Sequence, residues 1–457
     1  MLQRLTPGTK IDGFVLGEHI HSGAMGNIFR VTHPAHTATM IMKVPRVGRD
    51  EPPEGIISFE TEATIVPSLS GPHVPHFIAA GDLARMPYLV TEWVEGQSLE
   101  QRLALGAFPP DEVARVGAAI ADALHSLHQQ DAIHLDLKPA NVILRGDGTA
   151  VLVDFGFAHH TRYPDLLAEE TRFGAGSAPY ISPEQILGTR EDPRSDVFAL
   201  GVVLYEMATG RLPFGEPDTD VRNRLWLEPV PPRLHAPLVS PSLQEVMLRC
   251  LEPAAETRYQ TAAHVAFDLR NPDQVALTAR ATKSARPGLF AQIRRFRRAR
   301  ATYRSRLRAP HVLVSRFPII MAAVDTTHPD DERQPALQSV TAQIVSLSTE
   351  FRLVCVSVVD AQREGSGVHL EHLVRLRHWA DPLRLPAQRL SLHVIESTSP
   401  AEALLEFARA NNVDLIVLGA PGPGQPGRSW WRSVASTVTA NARCSVHVVR
   451  VAGRERG

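Results

Sequence analysis

The sequence predicts a multidomain chain in which an α+β part is followed by an α/β part with a doubly wound parallel sheet. Three observations support this fold class. Residues 12 to about 92 form short strand-like segments, and residues 98 to about 270 carry apolar residues at helical spacing. From about residue 310, strand-like and helix-like segments alternate. The length of 457 residues allows two or three domains.

The first part is predicted to have two lobes. Its strands are "FVLGEHI", "NIFRVTH", "TMIMKV" and "PYLVTEWV", with one helix near "SFETEATIVPSL". The stretch "PDEVARVGAAIADALHSLHQQ" then begins with Pro-Asp, a helix-start signal, and keeps apolar residues three or four apart. We therefore expect a small strand-rich lobe followed by a larger helical lobe.

The last part reads as a parallel sheet covered by helices. Its strands are "PIIMAAVD", "RLVCVSVV", "SLHVIES", "VDLIVLGA" and "SVHVVRVA", with helices at "PALQSVTAQIVSLSTEF", "PAEALLEFARANN" and "SWWRSVASTVTANA". Alternating strands and helices are typical of parallel sheets with both faces covered. A ligand of such a sheet is expected at the carboxyl ends of the strands.

A basic segment separates the two parts. Between Gln274 and Val324 there are twelve Lys or Arg and no Asp or Glu. Residues 272–309 are predicted to be a basic linker with an amphipathic helix, whose apolar positions are Leu289, Ile293, Phe296, Tyr303 and Leu307. A solvated linker, a segment bound to an acidic protein surface, and a segment bound to an anionic membrane or nucleic acid remain alternatives. Nucleic acid is the less favoured partner because aromatic residues are few.

Composition favours a cytoplasmic protein. Cys250, Cys355 and Cys444 lie far apart, which argues against a disulfide framework and suits a reducing compartment. The sequence has no apolar run long enough for a transmembrane segment, and "MLQRLTPGTK" lacks the apolar core of a signal peptide.

Two glycines and two charges near the amino terminus suggest phosphate binding. In "IHSGAMGNIF", Gly23 and Gly26 would let backbone amides approach phosphate oxygens. A glycine pair alone is equally typical of a structural hairpin. Lys43 in a strand and Glu62 on the following helix strengthen the phosphate interpretation, because Glu62 could hold the cation in place.

The stretch "AIHLDLKPANVIL" carries the groups that phosphoryl transfer needs. Asp136 could accept the proton of a substrate hydroxyl, and Lys138 could neutralise charge on the transferred group. Asn141 and, in "VLVDFGFA", Asp154 offer oxygen ligands of the kind that Mg²⁺ prefers.

In order and spacing, these parts resemble a bacterial eukaryotic-like serine/threonine protein kinase. The resemblance runs from "HSGAMG" and "MIMKV" through "HLDLKPAN", "DFG" and "GSAPYISPE" to "SDVFALGVVLYEMATGRLPF" and "ETRYQTA". It implies a bilobal protein-kinase fold over residues 14–271 and transfer of the γ-phosphoryl group of Mg-ATP to protein Ser/Thr hydroxyls. By the same resemblance, Ile20 and Ile28 line the ATP site and Glu184 pairs with Arg258.

Three positions depart from the family pattern. His21 replaces the first loop glycine, and Ile41 replaces the alanine two residues before the lysine. These changes motivate an alternative, a catalytically weak nucleotide-binding pseudokinase scaffold. Leu135 replaces the arginine that in the family pairs with a phosphate on the activation loop. We therefore hypothesise that phosphorylation at Thr161, Thr171 or Ser177 is not required for activity.

Residues 310–453 resemble a universal stress protein domain through "IIMAAVD", "VDLIVLGAPGPG" and "SVASTVTANARCSVHVVRV". The resemblance implies a sensor or dimerisation module, with a homodimer as expected assembly. Its nucleotide motif is matched by Asp325, Gly419, Gly422 and Ser433, but Arg432 stands where a glycine is expected. A second nucleotide site and a domain that binds no nucleotide are both open.

Overall fold

The computed structural model divides the chain into two compact units. One unit holds the described residues up to Arg270 and from Leu277 to 288, and the other holds 271–276 and the described residues from 318 onward. The described residues are 5–23, 26–46, 53–82, 86–163, 165, 167, 177–215, 225, 227–286, 288, 318–328, 333–346, 351–360, 368–385, 389–420 and 429–450.

The small lobe of the first unit is an antiparallel sheet with one helix, α1 (Pro53–Ile65). Pro67 lies in the short 3₁₀ turn that follows α1, where a proline cannot continue the helix. The alternation of the strands buries one face, including Leu16, Phe29 and Met40. In the order β1-β2-β3-β4-β6-β5, the strands are β1 (Lys10–Ile11), β2 (Phe14–Gly23), β3 (Gly26–His33), β4 (His36–Val44), β5 (Phe77–Ala80) and β6 (Leu89–Glu92).

The large lobe is helical and carries short strands that shape the loops between the lobes. The helix Arg194–Thr209 is buried along almost its whole length and ends at Gly210, whose left-handed φ of 65° closes it. The strands are β7 (Gln97–Ser98), β8 (Ala132–Ile133), β9 (Val142–Leu144), β10 (Ala150–Leu152) and β11 (His159–His160). The helices are α2 (Leu99–Leu103), α3 (Pro110–His128), α4 (Pro183–Ile186), α5 (Arg194–Thr209), α6 (Pro241–Cys250) and α7 (Ala262–Arg270).

The second unit is a five-stranded parallel sheet. The strand order β14-β13-β12-β15-β16 progresses in opposite directions on the two sides of β12, and this reversal of strand order places a crevice at the strand carboxyl ends in doubly wound sheets. The strands are β12 (Ile319–Ala323), β13 (Arg352–Val359), β14 (Leu390–Glu396), β15 (Leu415–Ala420) and β16 (Ser445–Arg450). The helices are α8 (Arg333–Ser346), α9 (Val368–Ala380), α10 (Pro400–Ala410) and α11 (Ser429–Asn441).

The predicted fold class is confirmed, with α9 as a helix that the sequence analysis missed. Its segment, "VHLEHLVRLRHWA", mixes His and Arg among its apolar residues and so gives a weak periodic signal. It nevertheless buries His372, Leu376 and Ala380 against the sheet unit. Tertiary packing therefore determines this helix more than its sequence pattern does.

The first residues of the predicted basic linker differ from the predicted helix. Within 272–286 the only helical turn is a 3₁₀ turn at Pro272–Gln274, and residues 278–283 bind α6 instead. The amphipathic positions from Leu289 to Leu307 lie outside the described residues.

The contact with α6 is made by two buried polar side chains. Glu245 is 1% exposed, and its carboxylate accepts hydrogen bonds from Thr278 N at 3.0 Å, Arg280 Nε at 2.9 Å and Ala281 N at 3.0 Å. Gln244 Nε2 donates to the carbonyl oxygens of Arg280 and Ala281 at 2.8 and 3.1 Å. Buried polar groups need such partners, so this segment is a structural part of the first unit.

We predict that Glu245→Gln lowers the unfolding free energy of the intact chain by about 1–3 kcal/mol. The single acceptor oxygen of an amide cannot satisfy the four donors, which are the three above and Thr278 Oγ1 at 2.9 Å. Glu112→Gln is the matched control, since Glu112 forms a half-buried pair with Arg102 at 3.1 Å whose loss costs about 1 kcal/mol at most. Denaturant unfolding measures both. Equal changes in the two variants would contradict a structural role for residues 278–283.

Candidate active site

Lys43 is the positive centre of a buried charge cluster between the two lobes. Its Nζ lies 2.5 Å from Glu62 Oε2 on α1 and 2.9 Å from Asp154 Oδ1. Glu62 Oε1 also accepts a hydrogen bond from Phe155 N at 3.2 Å. Burial alone would lower the pKa of Lys43, but the carboxylates of Glu62 and then Asp154 raise it above its ordinary value. Lys43 is therefore held as a cation.

The period of β4 explains why Lys43 faces this cluster. Met40, Met42 and Val44 are buried in the sheet core, so the alternate residues Ile41 and Lys43 point to the opposite face. The strand pattern that predicted the small lobe therefore also orients Lys43 toward this cluster.

Asp136 is the centre of a second cluster, in the loop after β8. Its Oδ1 accepts a hydrogen bond from Ser177 N at 2.7 Å, and its Oδ2 lies 2.8 Å from Lys138 Nζ. Asn141 Nδ2 donates to both the backbone oxygen and Oδ2 of Asp136, at 2.9 and 3.1 Å. Lys138 Nζ also donates to Ser177 Oγ at 2.8 Å. Asp136, Lys138, Asn141 and Ser177 thus form one hydrogen-bonded group.

The loop that carries Asp136 is tied to α5 by Asp196. This fully buried carboxylate accepts hydrogen bonds from His134 N at 2.9 Å and Leu135 N at 2.8 Å. His128 Nε2 lies 2.8 Å from the same carboxylate. Leu135 has a φ of 60°, a left-handed conformation that a leucine adopts only when its surroundings enforce it. The hydrogen bonds from the backbone amides of His134 and Leu135 to Asp196 supply that constraint.

Two further contacts anchor the large lobe near the site. Glu184 and Arg258 form a buried bidentate pair with distances of 2.6 and 2.8 Å, as expected from the sequence. Gln185 Nε2 donates to the backbone oxygen of Leu135 at 2.8 Å. The loop backbone is thus held on both its amide and its carbonyl side.

The glycine-containing hairpin keeps the glycine that its geometry requires. Gly26 has a φ of 141°, and a Cβ there would lie 2.3 Å from Val44 O, so only glycine fits. His21 pairs with Ile28 in extended conformation and needs no glycine. Ser22 Oγ donates to Asn27 Oδ1 at 2.7 Å across the hairpin, near Gly23. The loss of the first glycine is therefore compatible with this hairpin.

Ile41 lies directly opposite Thr91 on β6, in the antiparallel register of the small lobe. Directly opposite residues share one face of a sheet. The bulky residue at position 41 therefore stands beside the smaller Thr91.

The candidate second site in the sheet unit is only partly described. Asp325 follows β12 and Gly419 lies near the end of β15. Because these two strands are parallel neighbours, both residues stand at the carboxyl ends of the strands. Asp325 Oδ1 accepts a hydrogen bond from Thr327 N at 3.0 Å, and its Oδ2 lies 3.2 Å from His328 Nδ1. Gly422 and the side chain of Ser433 lie outside the described residues.

Next to Asp325 is a buried polar network that the sequence analysis missed. Thr326 Oγ1 lies 2.6 Å from Ser357 Oγ and 2.7 Å from His372 Nδ1. Arg375 Nη1 donates to the backbone oxygen of Thr326 at 2.9 Å. These groups satisfy one another, and their separation by up to 49 residues left no local signal.

Asp196 is the main residue of the first site that the sequence analysis did not assign. It lies in "SDVFALG", a stretch already noted, but one carboxylate before an apolar helix resembles an ordinary helix-start residue. The sequence analysis named Ser177 only as a candidate phosphorylation position, and its contacts with Asp136 and Lys138 appear only in three dimensions.

Comparisons with known proteins agree with this geometry. The protein kinase domain model matches residues 14–268, and the universal stress protein family model matches residues 316–450. The chain therefore belongs to the protein kinase domain family and carries a universal stress protein domain. Members of the kinase family generally use ATP and Mg²⁺ and act on protein substrates.

Curated bacterial relatives are serine/threonine-protein kinases by name. A probable serine/threonine-protein kinase of Clostridium perfringens is 35% identical over 214 residues, 46% of this chain and 31% of the relative. PknB of Mycobacterium tuberculosis is 32% identical over 271 residues, 58% of this chain and 43% of the relative. The chain thus matches less than half the length of these relatives.

Among solved structures, the chain is similar to the PknI kinase domain of Mycobacterium tuberculosis, with 23% identity and a TM-score of 0.47. That similarity covers 58% of this chain and 99% of the crystallised one. In the described part of the chain, no helix has both the length and the apolar character needed to cross a membrane.

We predict that Asp196→Asn lowers the unfolding free energy by about 3–5 kcal/mol, because the buried loop amides lose a charged acceptor. Asp111→Asn, an exposed position in the first turn of α3, should change it by about 1 kcal/mol at most. Denaturant unfolding of both intact variants provides the measurement.

The loss of unfolding free energy in Asp196→Asn, compared with Asp111→Asn, should persist from about pH 5 to 8. Burial raises the pKa of Asp196, but the hydrogen bond from His128 and nearby positive charge bring it below its ordinary value. A lowered folded-state pKa stabilises above the unfolded value of about 3.9, and the stabilisation is lost as pH falls through the folded value. A difference that vanishes already at pH 6 would contradict this assignment.

Proposed function

We propose that the chain is a serine/threonine protein kinase that transfers the γ-phosphoryl group of Mg-ATP to protein hydroxyl groups. The observation that carries the proposal is the presence of both charge clusters in one unit, Lys43 with Asp154 and Asp136 with Lys138. The two clusters also interact, because the charge of Lys138 contributes to lowering the pKa of Asp154, after the larger effects of burial and Lys43.

Asn141 and Asp154 are suited to hold Mg²⁺. Both contacts of Asn141 Nδ2 are to Asp136, which leaves the amide oxygen available as a ligand atom. Asp154 has one carboxylate oxygen on Lys43, and its φ of 65° turns it out of the preceding strand. Oxygen ligands of this kind fit Mg²⁺, which when bound neutralises charge on the phosphates.

The remaining groups have defined roles in this proposal. Lys43, held by Glu62, would bind the α- and β-phosphates, with Ile20, Gly23, Gly26 and Ile28 around the nucleotide. Asp136 would orient the substrate hydroxyl and accept its proton as the oxygen attacks the γ-phosphorus and the bond to the leaving ADP oxygen breaks. Lys138 would neutralise charge on the transferred group. Phosphoryl transfer needs alignment of the reactants and charge neutralisation more than covalent participation of the protein.

The C-terminal unit is proposed to be a sensor or dimerisation module. β16 lies at the edge of its sheet with Val446 and Val448 half-buried, and an open edge strand can pair with a second copy. A homodimer through this edge would be detected by sedimentation of the intact chain.

Nucleotide binding at Asp325 and Gly419 is tested by ATP titration of an Asp325→Asn variant. The expected cytoplasmic location is tested by cell fractionation.

We predict that the intact chain transfers labelled γ-phosphate from Mg-ATP to itself or to a generic basic protein. Asp136→Asn should reduce the rate by about 10²- to 10⁴-fold, because the carboxylate that orients the hydroxyl and accepts its proton is lost. Removing Mg²⁺ with a chelator should abolish transfer. The matched control is Asp147→Asn in the exposed turn after β9, which should keep wild-type activity.

The same assay separates the kinase from the pseudokinase scaffold. If ATP binds but neither wild type nor Asp136→Asn shows transfer, the scaffold alternative is favoured, and His21 and Ile41 become the positions to revert. Equal transfer by wild type and Asp136→Asn would contradict the role given to Asp136.

A further inference from the structure

Arg190 is a buried cation that the proposed mechanism does not use. It follows α4 in the chain, and its side chain is only 5% exposed. Its Nε lies 2.8 Å from Asp165 Oδ2, and its Nη2 donates to the backbone oxygen of Phe157 at 2.9 Å. A buried arginine with these partners joins two points of the segment that follows Asp154.

Asp165 is the anion that this arginine holds. Its side chain is 17% exposed, and its Oδ2 also lies 3.3 Å from His159 Nδ1. His159 lies in β11, which pairs with β8, the strand directly before the loop of residues 134–138 that carries Asp136 (the catalytic loop). The Asp165 carboxylate is thus connected through one short strand pair to the residues that carry Asp136.

The neighbouring position 135 has no charge with which to bind an anion. Leu135 is 3% exposed, and its backbone is held by Asp196 and Gln185. An arginine–phosphate contact of the kind expected in the family is therefore not available there. Instead, the carboxylate of Asp165, in the segment that follows Asp154, pairs with Arg190, which follows α4.

We propose that Arg190 and Asp165 are positioning residues that hold residues 157–163 and 165, and through β11 the catalytic loop, in the arrangement required for transfer without any phosphate on these residues. The proposal rests on the proposed kinase function. Arg190 also binds the carbonyl oxygen of Phe157. The Arg190–Asp165 pair (the clamp) therefore acts on residues close to Asp154. The pair should act on the rate of transfer more than on ATP affinity, since neither residue touches Lys43.

The test uses the full chain treated with a protein phosphatase, with absence of phosphate verified by intact mass. Wild type should retain transfer activity in the first turnovers after Mg-ATP is added. Asp165→Asn and Arg190→Gln should each lower kcat at least about tenfold, because each leaves a buried partner uncompensated. The KM for ATP should change by about twofold or less. The double variant should be no worse than either single one, because the two residues act as a unit.

A conservative variant and matched controls separate positioning from general damage. Asp165→Glu keeps the carboxylate and should recover part of kcat, whereas a purely structural role would favour the isosteric amide. Asp131→Asn and Arg162→Gln break an exposed pair of 2.7 Å that joins the same segment to the residue before β8, and each should change kcat by about twofold or less. Asn also tolerates the φ of 62° at position 131.

Two results would overturn the proposal. One is loss of wild-type activity on removal of phosphate with recovery on rephosphorylation, and the other is an Asp165→Asn variant with kcat within about twofold of wild type. If wild type itself transfers no phosphate, the proposed function fails, and hydrogen exchange of residues 157–163 then decides the clamp alone. Slow exchange in wild type and fast exchange in Asp165→Asn would support it, whereas equal exchange rates would refute it.

Discussion

The buried carboxylate of Asp196 is the interaction on which the rest of the site depends. It lies in the first turn of α5, where the helix dipole favours a negative charge, and it binds the amides of His134 and Leu135. Without it, two loop amides would be buried without acceptors and Leu135 would relax from its left-handed conformation. The positions of Asp136, Lys138 and Asn141 follow from this loop geometry.

Around this fixed loop, the site is built from charges that only tolerate burial together. Burial is the largest effect on the pKa of both acids. It raises the pKa of Glu62 despite the opposing effect of Lys43, whereas the pKa of Asp154 is lowered because Lys43, Lys138 and His134 together outweigh burial. The cation therefore makes the paired acids tolerable inside the protein, and each acid does the same for the cation. The cluster forms only when Lys43 and Glu62 of the small lobe meet Asp154 of the large lobe, because a buried charge without its partners is unfavourable.

Much of this could be predicted from sequence, and the exceptions share a physical reason. Lys43, Glu62, Asp136 and Asp154 were assigned because residue type and order carry their chemistry. Asp196, Arg190 and the Thr326–Ser357–His372 network were missed because their partners are distant in sequence and each looks ordinary locally. The α9 helix was missed because its pattern is weakly amphipathic. The boundaries predicted at 271 and 310 stay predictions, although residues 278–283 bind α6 and belong structurally with the large lobe.

Hydrogen exchange at the amides of His134 and Leu135 tests most directly whether the catalytic loop is assembled before nucleotide binds. In the intact, phosphate-free chain, we predict that both amides exchange as slowly as the buried amides of α5. Their rates should be unchanged by Mg-ATP, because Asp196 alone holds them. Fast exchange without nucleotide, with protection appearing only after Mg-ATP is added, would contradict a preassembled loop.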